Sequence, residues 1–429
     1  MAEADCSPYG AKRDDRALVV SGLKRTVSTA SRNALYAAAG RLAFGVVTGL
    51  LKSGLRTGVH KVFLREVLSA DPLKWAFLSA GLSCFRLLKH IASKLCSHLS
   101  IPEKFSYVVA GFISVLPVMV MERGTRVELC LHVLVRALQV VGTSCVLPLF
   151  PKVFRDFEHY DIVVMCLSAS QILYGFVFAP YTMPPSYLSF LSKTSMLDER
   201  VVRSYAGLTR HQISPELVEL CVERGRRLPH DPSEHLSVCC SYAHEGLTCN
   251  QFCFMLFCKN MVQVGLPLYL PLKVATIVVQ YKKLIRKPLQ SLCRAARSVF
   301  FSTLFLALYS VCSTRYACLA AQRNIRGGLL FAIASSLAGI STLIEPKGRR
   351  ADLAFYCLIY AIRSFVLTQC QFGRLPYPRQ SSIFMLYLFS VVLLIFQYDY
   401  DPDKLDHRSR YVISRIAGGE ILTPTEQYE

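Results

Sequence analysis

Charge is scarce in this chain, and acidic charge most of all. Charged residues make up only 18% of its 429 positions, 29 of them Asp or Glu against 49 Lys or Arg. A soluble globule carries about 25%. With a hydrophobic fraction of 52% and a mean hydropathy of +0.36, the deficit argues for a bilayer as the solvent of much of the chain. Catalytic signatures are missing as well: there is no GxSxG elbow, no HExxH, no GxxxxGK[ST] and no GxGxxG. Most acids lie between the apolar runs, which leaves few candidates for an intramembrane proton relay. No enzyme activity, catalytic residue or cofactor is therefore expected. The opening stretch MAEADCSPYGAKRDDRALVV lacks the apolar core of a secretory signal, so the 17 cysteines are expected to stay reduced.

What the chain does have is basic charge in short runs between apolar segments. The formal net charge is +20. Lys282, Lys283, Arg286 and Lys287 form one run, and Lys347, Arg349 and Arg350 another. Nucleic-acid binders gather their charge on one polar face. Scattered runs fit loops that flank membrane spans and meet anionic headgroups, so the expected partners are membrane lipids and not nucleic acid. At the N-terminus, Lys12, Arg13, Arg16, Lys24, Arg25 and Arg32 hint at an organelle presequence. Asp5, Asp14 and Asp15 favour an ordinary basic flank to the first span.

Ten apolar segments follow, at about 35–51, 73–88, 105–121, 128–150, 161–180, 250–280, 298–320, 327–345, 351–371 and 381–398. A span needs about 20 apolar residues, and several segments only just qualify. The fold class is all-α: a polytopic helical membrane protein built as two related bundles of about four to five spans each. The expected organisation is a basic flank (1–34), a first bundle (35–190), a polar linker (191–248), a second bundle (249–400) and a polar tail (401–429). Within the linker, SPELVELCVERG reads as a short amphipathic helix capped by Ser214, with Pro215 first and Gly225 near its end. Gly45 and Gly49 form a GxxxG step, a pattern that lets helix backbones approach.

One passage is written twice. ERGTRVELCLHVLVRAL (122–138) and PKGRRADLAFYCLIYAI (346–362) share five identities in 17 positions, among them Gly124/Gly348 and Arg126/Arg350. An Ala-Gly pair precedes each copy (Ala110-Gly111, Ala338-Gly339), and one more apolar span follows each. The reading is an internal duplication. In it the glycines make a tight turn, the arginines hold that turn at headgroup level, and Glu128 and Asp352 cap the next helix. Charge counting leaves open whether the halves run parallel or inverted, since five segments separate the two basic turns. Arg136 and Arg363, inside the helices that follow the turns, are the candidates for contact with an anionic lipid or substrate. Snorkelling at a helix end is the competing reading.

The densest polar constellation is HDPSEHLSVCCSYAHEGLTCNQFC, with His230, His235, Cys239, Cys240, His244, Cys249 and Cys253. These are zinc-ligand types, but no pair has CxxC or HxxxH spacing, so packing is the expected role and no metal is assigned. The stretch VCCSYAHEGLTCNQFCFMLFCKNMVQVGLPLYL resembles the cysteine-rich entry of transmembrane protein 135 homologues, with Cys239, Cys240, His244, Cys249 and Cys253 at the matching positions. SLAGISTLIEPKGRRADLAFYCLIYAI and PPSYLSFL are similar to further segments of that family. The family in turn distantly resembles the Tim seventeen-like inner-membrane translocases.

The resemblance implies a multi-span protein of mitochondrial or peroxisomal membranes, linked to lipid handling and organelle dynamics, without established enzyme activity. Its partners would be lipids, a second copy of the chain or other organelle membrane proteins. The competing class is a translocase-like or transporter-like component moving polypeptide or metabolite between the two bundles.

Overall fold

A computed structural model describes residues 23–43, 71–146, 159–225, 236–279 and 285–416, with 45, 69 and 149 singly. His230, His235, Lys282, Lys283, Gly49, Lys12, Arg13, Arg16 and most of the second half of segment 35–51 lie outside them. Among the described residues every regular element is helical. The chain begins with α1 (residues 23–43), α2 (Asp71–Ser83), α3 (Phe85–His98), α4 (Phe105–Val115) and α5 (Arg123–Val141). Then come α6 (Tyr160–Phe178), α7 (Pro185–Ser195), α8 (Glu199–Thr209), α9 (Pro215–Glu223) and α10 (Val238–Ala243). It continues through α11 (Cys249–Lys259), α12 (Leu266–Val279), α13 (Pro288–Gln322), α14 (Gly328–Ser336) and α15 (Lys347–Gln371). Last are α16 (Gln380–Tyr400) and α17 (His407–Ile416).

Among the described residues, six stretches are long and apolar enough to cross a bilayer: Arg123–Ser144, Tyr160–Phe178, Cys249–Val274, Pro288–Gln322, Lys347–Gln371 and Gln380–Tyr400. The protein is an all-α, multi-pass integral membrane protein. Segment 73–88 is no single helix: α2 and α3 meet at Cys84 inside it. Segments 105–121 and 327–345 form shorter apolar helices. Each starts as α-helix and tightens into a 3₁₀ stretch, Leu116–Val120 after α4 and Leu337–Ile344 after α14. A 3₁₀ helix rises about 2.0 Å per residue against 1.5 Å, so the two reach roughly 27 and 30 Å, close to the hydrocarbon thickness of about 30 Å.

Packing divides the described residues into two compact units, one holding α1–α5, α16 and α17, the other α6–α15. In the first unit, α5 and α4 pack on α16. Tyr387, Leu388, Val391 and Ile395 of α16 join Ala110, Val115 and Cys130 in the core, and Phe112 meets Phe384 edge to face. A side chain at Gly111 would run into Val392, so the close approach needs glycine there. In the second unit, α15 and α14 pack on α6. A Cβ on Gly339 would lie 2.7 Å from the backbone N and Cα of Cys166. Ser364 of α15 is fully buried, accepting from Gln171 of α6 at 3.1 Å and bonding Thr182 at 2.9 Å. Such hydrogen bonds hold spans together where lipid supplies no hydrophobic drive. The span that follows the first written passage, α6, thus packs in the second unit, and α16, which follows the second passage, packs in the first.

The described parts of the stretch 191–248 expected as a linker, 191–225 and 236–248, fold into the second unit. Val201, Val202, Tyr205 and Leu208 of α8, Leu217 and Leu220 of α9, and Leu236 are buried in its core. Apolar residues recur there at helical spacing, and that periodicity outweighs the rise in charge. Ser214 caps α9 as read, its hydroxyl accepting from the Leu217 amide at 3.3 Å, and Gly225 follows with φ +60°. At the ends of the chain, residues 23–34 belong to α1, and residues 402–416 form a short turn and α17, with Leu405 buried.

Gly339→Ala is expected to lower the thermal midpoint in detergent, because backbone blocks the new methyl. Gly348→Ala, where nothing lies within 4 Å of the added atom, is expected to stabilise by about 0.5–1 kcal/mol through helix propensity. A loss at Gly348 equal to that at Gly339 would show that position 348 makes a turn after all.

Candidate functional site

The two basic turns adopt the same conformation. Met121 and Glu122 are extended ahead of α5 (ψ 154° and 150°), as are Glu345 and Pro346 ahead of α15 (ψ 145° and 140°). These extended pairs make the reversal. Gly124 and Gly348 do not: both sit in the first helical turn and neither has positive φ. Glu128 and Asp352 fall in the second helical turn, beyond capping reach, and no side chain caps either helix. The arginines reach back over the 3₁₀ stretch. Arg350 donates from Nε to the Glu345 carbonyl and from a terminal nitrogen to the Leu343 carbonyl, both at 2.6 Å. Arg126 reaches the matching position, Met119, but meets its sulfur at 3.6 Å while its buried Nε has no partner among the described residues. Arg136, in the first unit, lies 3.2 Å from Gln139 and 3.9 Å from Asp406. Arg363, in the second, is half-buried.

The second unit contains a cavity of about 440 Å³, inside the roughly 300–1,000 Å³ range of small-molecule pockets. Its walls come from α6, α7, α12, α13 and α15 and are mostly aromatic and aliphatic carbon. Five tyrosines ring it: Tyr187, Tyr269, Tyr309, Tyr356 and Tyr360. Tyr187 stacks face to face on Tyr360 at 4.0 Å between centroids, and Tyr356 and Tyr360 share a hydroxyl hydrogen bond of 3.1 Å. Tyr309 and Ser310 lie well inside the long span α13, which places the cavity within the membrane-spanning part.

At the end of that unit, α10, the turn after it, the start of α11 and the last turns of α13 meet around a thiol-imidazole cluster. Thr248 and Gln251 form a capping box that fixes the first turn of α11, and Cys249 opens that turn. Cys240, His244, Cys249 and Cys318 each offer a ligand atom, and these four atoms all lie within 4.8 Å of one another. His244 Nε2 is 3.4 Å from Cys249 Sγ and 3.9 Å from Cys318 Sγ. The hydrogen bond from Cys318 holds the Cys240 thiol below its usual pKa; burial works against this, and His244 adds to the lowering. Of the five expected cluster residues, three converge and two do not. Cys239 is turned about 100° from Cys240 around α10; it is buried in the core and burial pushes its thiol up to about 12. Cys253 stands one turn beyond Cys249. Cys318, the member the sequence reading missed, arrives from 69 residues beyond Cys249 (318 − 249), and no local spacing announces it.

Comparison with known proteins finds no matching family model, no similar curated protein and no similar solved structure.

Arg350→Met leaves the Leu343 and Glu345 carbonyls without this donor and is expected to cost about 1–3 kcal/mol. Arg126→Met is expected to be neutral or stabilising, since it removes a buried nitrogen that has no partner among the described residues. Thermal melts of the two variants in the same detergent check the contrast; equal losses would contradict the unequal roles.

Proposed function

We propose that this integral membrane protein is a non-enzymatic lipid-handling component of an organelle membrane, with its tyrosine-ringed cavity as the lipid site. The cavity carries the reading: an apolar, aromatic volume inside the spanning part suits an acyl chain, and its hydroxyls suit an ester or headgroup oxygen at the mouth. Charge supports it. The span α13 has 35 residues and measures about 52 Å, well beyond the roughly 30 Å of hydrocarbon. Its first turns, with Arg286 and Lys287 just before, carry exposed Arg294 and Arg297. The hydrogen bond from Arg349 to the Ser298 hydroxyl, 3.1 Å, brings the basic start of α15 to the same end. Anionic headgroups attract such a rim at about 1 kcal/mol per basic residue.

The resemblance to transmembrane protein 135 supports a mitochondrial or peroxisomal membrane and a role in organelle dynamics. The shared succession of short helix, 3₁₀ stretch, extended pair and long basic-led helix supports descent of the two passages from one duplicated unit.

Purified in nanodiscs, the protein is expected to retain bound lipid by native mass spectrometry. Ser310→Phe and Cys357→Phe, which fill the cavity from two different helices, are expected to reduce that lipid several-fold. Unchanged lipid in both folded variants would reject the cavity as the site. Robust flux of a solute or presequence peptide into liposomes holding the protein would replace lipid handling with translocation. Imaging a tagged copy against mitochondrial and peroxisomal markers tests the compartment.

A further inference from the structure

We propose that Cys240, His244, Cys249 and Cys318 form a structural zinc site that fastens the α10–α11 turn to the end of α13. The geometry is that of a closed four-coordinate site. Zinc bound by thiolates at about 2.3 Å and an imidazole at about 2.0–2.1 Å in a tetrahedron holds its donors roughly 3.5–3.8 Å apart. The measured separations of His244 Nε2 from two sulfurs, 3.4 and 3.9 Å, bracket that value. All four donors lie within 4.8 Å of one another, which suits one ion; two bridged irons would push opposite ligands further apart. Three thiolates and an imidazole select zinc over hard cations such as calcium or magnesium, which take oxygen ligands.

Two supporting contacts point to a ligand independently of the donor cluster itself. His244 Nδ1 donates to the Leu247 carbonyl at 2.9 Å, so Nδ1 carries the proton and the Nε2 lone pair faces the three sulfurs. This is the arrangement by which metal-bound histidines are oriented. Gln322, one turn beyond Cys318 on α13, donates from Nε2 to Cys249 Sγ at 3.2 Å. An N–H aimed at sulfur stabilises a thiolate, and a neutral packing cysteine has no need of it. Access is provided too. His244, Cys249 and Cys318 are buried, whereas Cys240 is half-exposed, leaving a route for the ion. The site lies where α11 begins and α13 ends, at the edge of the spans. On binding, the thiols release their protons to solvent.

The proposal does not rest on the lipid reading, and its test is separate. The full chain, purified in detergent without added metal, is expected to carry one zinc ion by elemental mass spectrometry. Zinc is expected to be lost in Cys318→Ser and in His244→Ala, and kept in Cys239→Ser and Cys253→Ser. Should the ligand variants fail to fold, the wild-type chain still decides: exchange of its metal for cobalt is expected to give the intense visible bands of a tetrahedral thiolate site, and chelation to lower the thermal midpoint. A metal-free chain whose three cysteines alkylate freely, a disulfide among them found by peptide mapping, or iron in place of zinc would each overturn the assignment.

Discussion

In hydrocarbon an apolar side chain gains nothing by leaving lipid for a neighbouring helix, so association there depends on backbones coming close and on polar groups finding each other. Both units meet that constraint with the same materials. Gly111 lets α4 approach α16, and Gly339 lets the 3₁₀ end of α14 sit on the backbone of α6. Where approach alone is insufficient, Gln171, Thr182 and Ser364 tie α6 and α15 together. The cavity takes two of its walls, α6 and α15, from elements that these contacts position.

The 3₁₀ stretches follow from the same physics. Two apolar helices too short to cross as α-helix gain length by tightening, but the tightened backbone leaves carbonyls in need of donors. In the second unit Arg350 supplies one to Leu343 near the end of the stretch and another to Glu345 just beyond it. In the first, Pro117 sits within the tightened turn, and Arg126 finds only a thioether. The shared motif is thus satisfied well in one place and poorly in the other. Their sequences differ at the residues that line the arginine's path: Met119 stands where the second passage has Leu343, and Met121 where it has Glu345.

The sequence made the class legible because lipid leaves a strong compositional mark: few charges, long apolar runs and bases between them. The amphipathic helix α9 was equally plain, since Ser214, Pro215 and Gly225 each act through local backbone geometry. The unit boundaries were not legible. They depend on which distant spans pair, and α5 with α16 or α6 with α15 is a choice made by side-chain complementarity across more than 180 residues. The cluster was half legible for the same reason. Cys240, His244 and Cys249 sit within ten residues, while Cys318 enters only through the packing of α11 on α13. Adjacent Cys239 and Cys240 point about 100° apart, one into the core and one into the cluster, which adjacency in sequence conceals.

The crossing of spans between units fixes an order of events during synthesis. α5 is complete at residue 141, yet its principal neighbour α16 starts at residue 380, 239 residues later (380 − 141). At about 5–20 residues per second of translation, that gap lasts roughly 12–48 s. Throughout it the face of α5 that ends against Tyr387 and Val391 stands uncovered in the bilayer, and α6 waits in the same way for α15. A chain released before residue 380 lacks α16 altogether and leaves that face of α5 without the helix that covers it.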